Sequence, residues 1–406
     1  MKIKMNRQLK DGKYLYAATQ KCCGCGACAV VCPKNAITMK LDDRGFRYPS
    51  VDNELCVGCG MCIKACAFGK SQKFQPKECY AGANENIVQR KMSTSAGIFS
   101  AVATAFLNNG GVVCGAAMDI VNGQADVRHI MIGTIEELPR LQGSKYVQSS
   151  AEGCYPAIKS SLEEGKKVLF SGTPCQVAAV KNIFVKYAAN LFTIDIICHG
   201  VPSQKFFNDY LAYIGKKSMK TVAEYQFRNK RRGWGLDGSI KFVGDNQERY
   251  FKPEEESYYK LFLNGETYRD SCYACPYAKQ QRVGDLTIGD YWGAQKFSPE
   301  LMAENGGPFN SDEGVSCILE NTVAGRELLA LAQEYLTVRK ISIDKVLIIN
   351  SQLREPASHT GMRDKVFSKY KKLGYEGVAQ MYQAWKRKND FIAGCKRLII
   401  KQDSIL

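Results

Sequence analysis

One cysteine motif occurs twice in this chain, and it decides what the N-terminal part can become. Cys22, Cys25, Cys28 and Cys32 read C-x2-C-x2-C-x3-C, and Cys56, Cys59, Cys62 and Cys66 repeat that spacing 34 positions later. Repetition at fixed spacing implies two copies of one small unit. Of the 18 cysteines, nine fall between Cys22 and Cys66. The segment Met1 to Arg7 is polar with no apolar run behind it, so no export signal is read there. The expected compartment is the cytoplasm, where dense cysteine points to metal rather than to a disulfide framework. Three thiolates on a tight loop can grip three corners of a 4Fe–4S cube, with a fourth arriving from a distance. Gly24, Gly26, Gly58 and Gly60 let the backbone wrap such a cube and aim N–H groups at its sulfurs. Zinc also takes C-x2-C pairs, but the double run with x2, x2, x3 spacing is a cluster pattern.

Residues 21–75 resemble a bacterial dicluster ferredoxin. In that family the last cysteine of each run serves the other cluster. The resemblance therefore implies one cluster on Cys22, Cys25, Cys28 and Cys66, and a second on Cys56, Cys59, Cys62 and Cys32. Cys32-Pro33 follows the family pattern, whereas Cys66-Ala67 departs from it without touching a ligand. Cys23 is out of register and is expected to be a small packing residue.

Beyond a linker around Lys70 to Asn86, apolar periodicity alternates between helix and strand. Ser95 to Asn108 reads as a helix, and Gly111 to Ala117 and Val127 to Ile132 as strands. Lys167 to Phe170 is a buried strand leading into Thr173-Pro174, an N-cap followed by a proline suited to a first helical turn. Cys175 to Val185 should then be a helix and Leu191 to Ile197 the next strand, a parallel βαβ unit. Gln204 to Ile214 and Ala324 to Tyr335 read as helices, Val222 to Asp290 as short strands and turns. The basic tail from Asp364 to about Lys401 reads as an amphipathic helix.

A second set of cysteines falls at turns. Cys175 opens a helix, Cys198 ends a strand, and Cys272 and Cys275 form a C-x2-C loop. Neighbouring parallel strands open on one edge, where ligands bind, so these four thiols are candidates for a third 4Fe–4S site. The alternative is a redox or zinc C-x2-C loop, with Cys175 and Cys198 merely buried, as cysteine commonly is.

The runs Ser171 to Val177, Cys198 to Ser203, Cys272 to Tyr277 and Gly284 to Gly293, with Ser93 to Gly97 and Gly143 to Gln148, together resemble the β-subunits of coenzyme F420 hydrogenases and dehydrogenases over residues 80 to 335. The resemblance implies FAD and hydride-level chemistry at the flavin. It does not fix the substrate, since the family includes relatives found among surface-polysaccharide genes. Ala96-Gly97 stands where family members often have two glycines. A helix N-terminus near Ser95 and Gly97 suits a pyrophosphate. Lys145 and Arg228 suit phosphate oxygens or the N1 region of reduced flavin, the plainer reading of each being a surface cation. His199 and Lys145 are the candidate catalytic groups; His199 could donate to a flavin or cluster, or bond to backbone. Asp290 and Trp292 either line the site or serve a core or turn. No G-x-G-x-x-G opens a βαβ unit, so a Rossmann nucleotide site is not expected.

The expected architecture is α/β: a 1–20 leader, a 21–75 dicluster domain, a mixed α/β flavin domain in two parts (80–160 and 161–335), and a helical region over 336–406. The function expected is an iron–sulfur flavoprotein oxidoreductase that links ferredoxin-type clusters to a flavin exchanging hydride with a small molecule. Its partner would be a redox protein such as a ferredoxin, hydrogenase or reductase subunit. The alternatives are a non-catalytic electron-transfer subunit and a cluster-containing accessory protein of surface-polysaccharide synthesis. With 56 basic and 40 acidic residues the chain is strongly positive, but its basic residues are spread out and carry no nucleic-acid motif, so no nucleic acid is expected. No apolar stretch is long enough for a transmembrane helix. The basic tail leaves room for peripheral contact with an anionic membrane.

Overall fold

The computed structural model describes residues 5–68 and 71–403, with side chains described as far as residue 390. Each cysteine run closes on a short helix, Ala27–Val30 or Met61–Ala65, and the residue before each helix is a glycine in the left-handed region, Gly26 at φ 76° and Gly60 at φ 72°. A side chain would strain both positions, so the repeat holds in backbone conformation as well as in spacing. Between the runs, β1 (Ile37–Leu41) and β2 (Arg47–Val51) pair as an antiparallel hairpin.

The 1–20 leader is not separate. Leu9, Leu15 and Tyr16 are buried with Phe46, Tyr48, Cys56 and Cys62 in the core of this unit. A core of fewer than sixty or so residues gains from any apolar chain that can cover it. No strand forms at Tyr14–Tyr16; Tyr14 makes only an isolated bridge to Gln8.

The rest is built on one mixed sheet. Its strands are β3 (Glu78–Asn84), β4 (Val112–Val121), β5 (Gln124–Ile132), β6 (Val168–Gly172), β7 (Leu191–Ile196), β11 (Leu286–Asp290), β12 (Ser316–Glu320) and β13 (Leu336–Lys340). They lie in the order β13-β3-β12-β11-β7-β6-β4-β5. A small antiparallel sheet of β8 (Val222–Gln226), β9 (Gly238–Phe242) and β10 (Arg249–Phe251) stands apart.

Two boundaries move as a result. The segment read as a linker holds β3, and the region assigned to a helical tail begins with β13, which pairs with β3. The parts read as 80–160 and 161–335 therefore share one sheet. Neither strand has a strong pattern of its own; each becomes a strand because β12 and its neighbours offer an unpaired edge. The segment Val222 to Asp290 also contains a helix, Ser257–Leu263.

Four consecutive strands of the sheet, β11, β7, β6 and β4, run parallel, so the parallel βαβ expectation holds. Helix Pro174–Ile183 starts where expected. Pro174 occupies the first turn and the Thr173 N–H donates to the Gln176 side chain at 3.1 Å. On one sheet face helices Ile98–Asn108 and Val323–Leu331 bury an apolar layer with β4, β6 and β7. On the other, helices Tyr155–Glu163 and Pro174–Ile183 pack among Cys23, Ala27, Ala65 and Ala67 of the cysteine-rich unit. The long tail helix Arg363–Asp403, broken in dihedral angle at Gly374, joins an aromatic cluster around Phe206, Tyr210 and Tyr258.

Candidate functional site

The carboxyl ends of β6, β7 and β11 open on one edge of the sheet, and a cavity of about 440 Å³ lies there. It is lined by Cys175 after β6, Cys198 after β7, and Cys272 and Cys275. The turn-placed cysteines that the sequence singles out are thus brought to one place. The C-x2-C loop is held over the strand ends by a fully buried ion pair, Arg282 to Asp195 at 2.8 Å. Arg282 also donates to the Tyr277 carbonyl at 2.9 Å, and Asp195 accepts the Gly284 N–H at 2.8 Å. That many donors offset the cost of burying a carboxylate side chain.

The cysteine-rich unit sits against this cavity. Cys28 lies near Cys22, Cys25, Cys66 and Cys62, and Cys62 lies near Cys32 and Cys59. Cys32, Cys56, Cys59 and Cys62 also line one small cavity. Among the described residues no three His, Cys, Asp or Glu side chains gather as they would on a single metal ion; a four-iron cube spreads its thiolates more widely.

Cys23, expected only to pack, is buried as expected but also lines the large cavity, with its thiol beside both Cys25 and Cys175. The first cysteine loop is gripped by its carbonyls. Arg269 donates to Cys22 at 2.7 Å, Gln148 to Cys23 at 2.7 Å and Tyr155 to Cys25 at 2.9 Å; at the end of the second run Asn182 donates to Cys66 at 3.2 Å.

All four candidate cofactor-binding residues, Ser95, Gly97, Lys145 and Arg228, line the cavity, as does His199. Gly97 is the N-cap of helix Ile98–Asn108. The loop before it is fixed by Ser95, which donates to the Val315 carbonyl at 3.2 Å, and by Lys230, whose ammonium donates to the carbonyls of Arg90 and Glu313, each at 2.8 Å, and of Ser95.

Arg228 is less available than its sequence reading implied. Its guanidinium pairs with Asp290 at 2.6 Å, donates to the Gly235 carbonyl at 2.7 Å and lies 4.9 Å from the Trp292 ring centre, which leaves only Nη2 without a partner. Asp290 therefore serves as its counter-ion, and Trp292 stacks on Trp234 at 4.2 Å. Lys145 donates to the Gln142 carbonyl at 2.7 Å and the Arg140 carbonyl at 3.3 Å, and burial pulls its pKa down to about 7. Burial likewise lowers the pKa of His199, partly offset by Asp290.

Among the polar groups that sequence reading missed here are His129, Gln142, Arg269 and Arg282. His129 carried a usable signal, since it continues the inward face of a strand after Ala125 and Val127, where a polar side chain needs a reason.

Residues 165–344 match the family model for the C terminus of the coenzyme F420 hydrogenase/dehydrogenase β-subunits, and residues 21–70 match the 4Fe-4S dicluster domain. No curated protein matches the chain. Among solved structures, a chain of the F420-reducing NiFe hydrogenase complex from Methanosarcina barkeri is similar at 16% identity, covering 78% of this chain and 94% of that chain with a TM-score of 0.46.

Proposed function

Since the chain joins a 4Fe–4S dicluster domain to the C-terminal module of the coenzyme F420 hydrogenase/dehydrogenase β-subunit family, we propose that it is an iron–sulfur flavoprotein oxidoreductase. Two 4Fe–4S clusters and one-electron transfer come with the first domain. The reading adds a third cluster on Cys175, Cys198, Cys272 and Cys275, FAD in the same cavity, and hydride exchange between that flavin and a small substrate.

One observation carries it. A single cavity collects those four cysteines together with buried polar atoms that lack partners, His129 Nδ1 and Arg228 Nη2 among them, and it abuts the loop of Cys22, Cys23 and Cys25. Unpaired buried polar atoms cost about 1–3 kcal/mol each, so the cavity suits a ligand that is mostly apolar with a few polar edges. The residue types fit a flavin. The helix N-terminus at Gly97 and the Ser95 loop would hold its phosphates, with Lys145 and Arg228 Nη2 donating to oxygens. Bound flavin supplies the step between one- and two-electron chemistry. The protein's own residues hold the loops, keep Asp290 on Arg228, and place both Cys25 and Cys175 next to Cys23. A redox partner protein would meet the exposed side of the dicluster unit, where Cys59 is exposed.

Anaerobic purification with reconstitution tests this. The expected result is bound FAD and about twelve iron atoms per chain, four per cluster, falling by about four in Cys175→Ser. Iron at about eight in the wild type would remove the third cluster. Absence of flavin after reconstitution would leave an electron-transfer subunit without its own catalysis. No helix among the described residues is long and apolar enough to cross a membrane.

A further inference from the structure

His129 lies on β5 opposite Ala116 of β4, and Cys114, two residues earlier on β4, is level with Phe170 of β6. That register sets His129 beside Gly172, at the edge where the cavity opens. Its ring stacks on Phe170 with centroids 5.0 Å apart and planes 9° from parallel. Nε2 lies 3.1 Å from the carbonyl oxygen of Ser171. A carbonyl only accepts, so Nε2 carries the proton. Burial pushes the pKa down to about 4, which keeps the ring neutral near pH 7. Nδ1 is then a fixed lone-pair acceptor, and it is buried without a partner in a side chain only 4% exposed.

Two donors accompany it. Gln142 Nε2 is also buried without a partner. Lys145 uses two of its N–H groups on the Arg140 and Gln142 carbonyls and, as an ammonium below its pKa of about 7, keeps the third. All three residues line the cavity, and Lys145 is close enough for its charge to act on His129. A phosphate or carboxylate would satisfy the donors but leave Nδ1 unpaired. The complement of one acceptor with two donors is an N–H between two carbonyls.

We propose that His129 Nδ1, with Gln142 Nε2 and Lys145 Nζ, recognises the imide edge of a pyrimidinedione ring in this cavity, the edge a flavin or deazaflavin presents at N3–H and its flanking carbonyls. The inference rests on the flavin reading above and assigns which end of the cavity the ring system's imide faces. It gives the chain a way to select such rings over other planar heterocycles of similar size, because a site built to hydrogen-bond a group rejects analogues that lack it.

The test uses the full chain with its clusters reconstituted, titrated anaerobically with FAD and with N3-methyl-FAD, binding being read from quenching of flavin fluorescence. Methylation removes the N–H that Nδ1 accepts. The wild type is expected to bind N3-methyl-FAD about tenfold more weakly than FAD. His129→Phe keeps the stack on Phe170 and removes the acceptor; it should bind FAD about tenfold more weakly and no longer distinguish the two flavins. Gln142→Leu should weaken both flavins alike. Equal affinity of the wild type for FAD and N3-methyl-FAD would overturn the inference and leave the flavin reading standing, whatever the variants do. Binding of neither flavin would instead overturn the flavin reading itself, and the inference with it.

Discussion

Arg269 is the residue whose loss should most directly loosen the dicluster unit from the rest. Its side chain is fully buried. Nε donates to the Cys22 carbonyl and Nη2 to the Arg47 carbonyl, each at 2.7 Å, and Nη1 reaches Gln148 at 3.3 Å. The guanidinium carbon lies 4.0 Å from the centre of the Tyr48 ring. Arg269→Met fills most of the volume and removes every one of these bonds. Two buried carbonyls lose donors at about 1–3 kcal/mol each, and a desolvated cation–π contact of about 2 kcal/mol goes with them. Against that, the substitution removes the cost of holding a guanidinium out of water, several kcal/mol in itself. The net expected loss is about 3 kcal/mol, roughly a hundredfold in a rate that depends on opening this junction. The assay is the decay of visible cluster absorption in anaerobic urea, compared with the wild type. Arg269→Lys should fall between the two, because an ammonium cannot supply the three-way fork. Decay of Arg269→Met within a factor of two of the wild type at every urea concentration would refute the reasoning.

Asp270 binds Arg44 through both oxygens, at 2.8 and 2.7 Å, and Arg363 at 2.6 Å. Burial alone would raise its pKa, but hydrogen bonds from Arg44 and Thr19 and the charges of Arg44 and Arg363 hold it well below the usual carboxylate range. Its contribution to stability is therefore complete above the unfolded value of about 3.8 and is lost as pH falls below it; Asp270→Asn should be less stable than the wild type at neutral pH and show less acid sensitivity in urea titrations. Lys145 behaves oppositely. Between about 7 and 10.5 it is charged only in the unfolded chain, so stability should rise with pH across that window, by up to about 1.4 kcal/mol per unit from this group. That slope should vanish in Lys145→Met. Gly26 and Gly60 are repeat equivalents at nearly the same φ, yet a Cβ at Gly26 would lie 2.7 Å from Glu152 Cβ while one at Gly60 meets nothing within 4 Å. Gly60→Ala should cost only the left-handed penalty of about 1–2 kcal/mol, and Gly26→Ala distinctly more; equal thermal midpoints for cluster bleaching would contradict this.

What the sequence made legible was whatever short-range chemistry enforces. Cluster ligation requires a fixed local spacing, so the two runs could be read directly. Thr173-Pro174 marks a helix start by its own backbone restrictions, and Cys175 and Cys198 followed because a βαβ unit places consecutive strand ends on one edge. Arg269 could not be read that way. Its partner Cys22 lies 247 positions earlier, and nothing local separates it from any other arginine. Arg228 was read as a free cation because Asp290, 62 positions away, is adjacent only in the folded chain. The same holds for β3, which pairs with β12 and β13, and for β13, which pairs with β3.

These long-range contacts also bear on how the proposed electron route is set. Were the 21–75 unit a tethered module, its distance from the cavity would fluctuate, and transfer would await docking. Instead its carbonyls at Cys22, Cys23, Cys25, Cys66 and Ala67 each accept from a side chain of the sheet domain or its loops, and its residues share an apolar core with helix Pro174–Ile183. Carbonyls tied in this way cannot turn without leaving buried donors unpaired. The spacing between the first cysteine run and Cys175 is thus fixed by folding rather than by encounter. It follows that residues 1–75 expressed alone would present Ala27, Ala65, Ala67 and Cys23 to water and lose the donors that hold the first cysteine loop, while keeping Leu9, Leu15 and Tyr16 in their core. Such a fragment should bind iron at the second cysteine grouping, whose cavity is lined only by residues between Leu9 and Cys62, more durably than at the first. Equal cluster lifetimes at the two sites of that fragment would show that the sheet domain contributes nothing to holding the first loop.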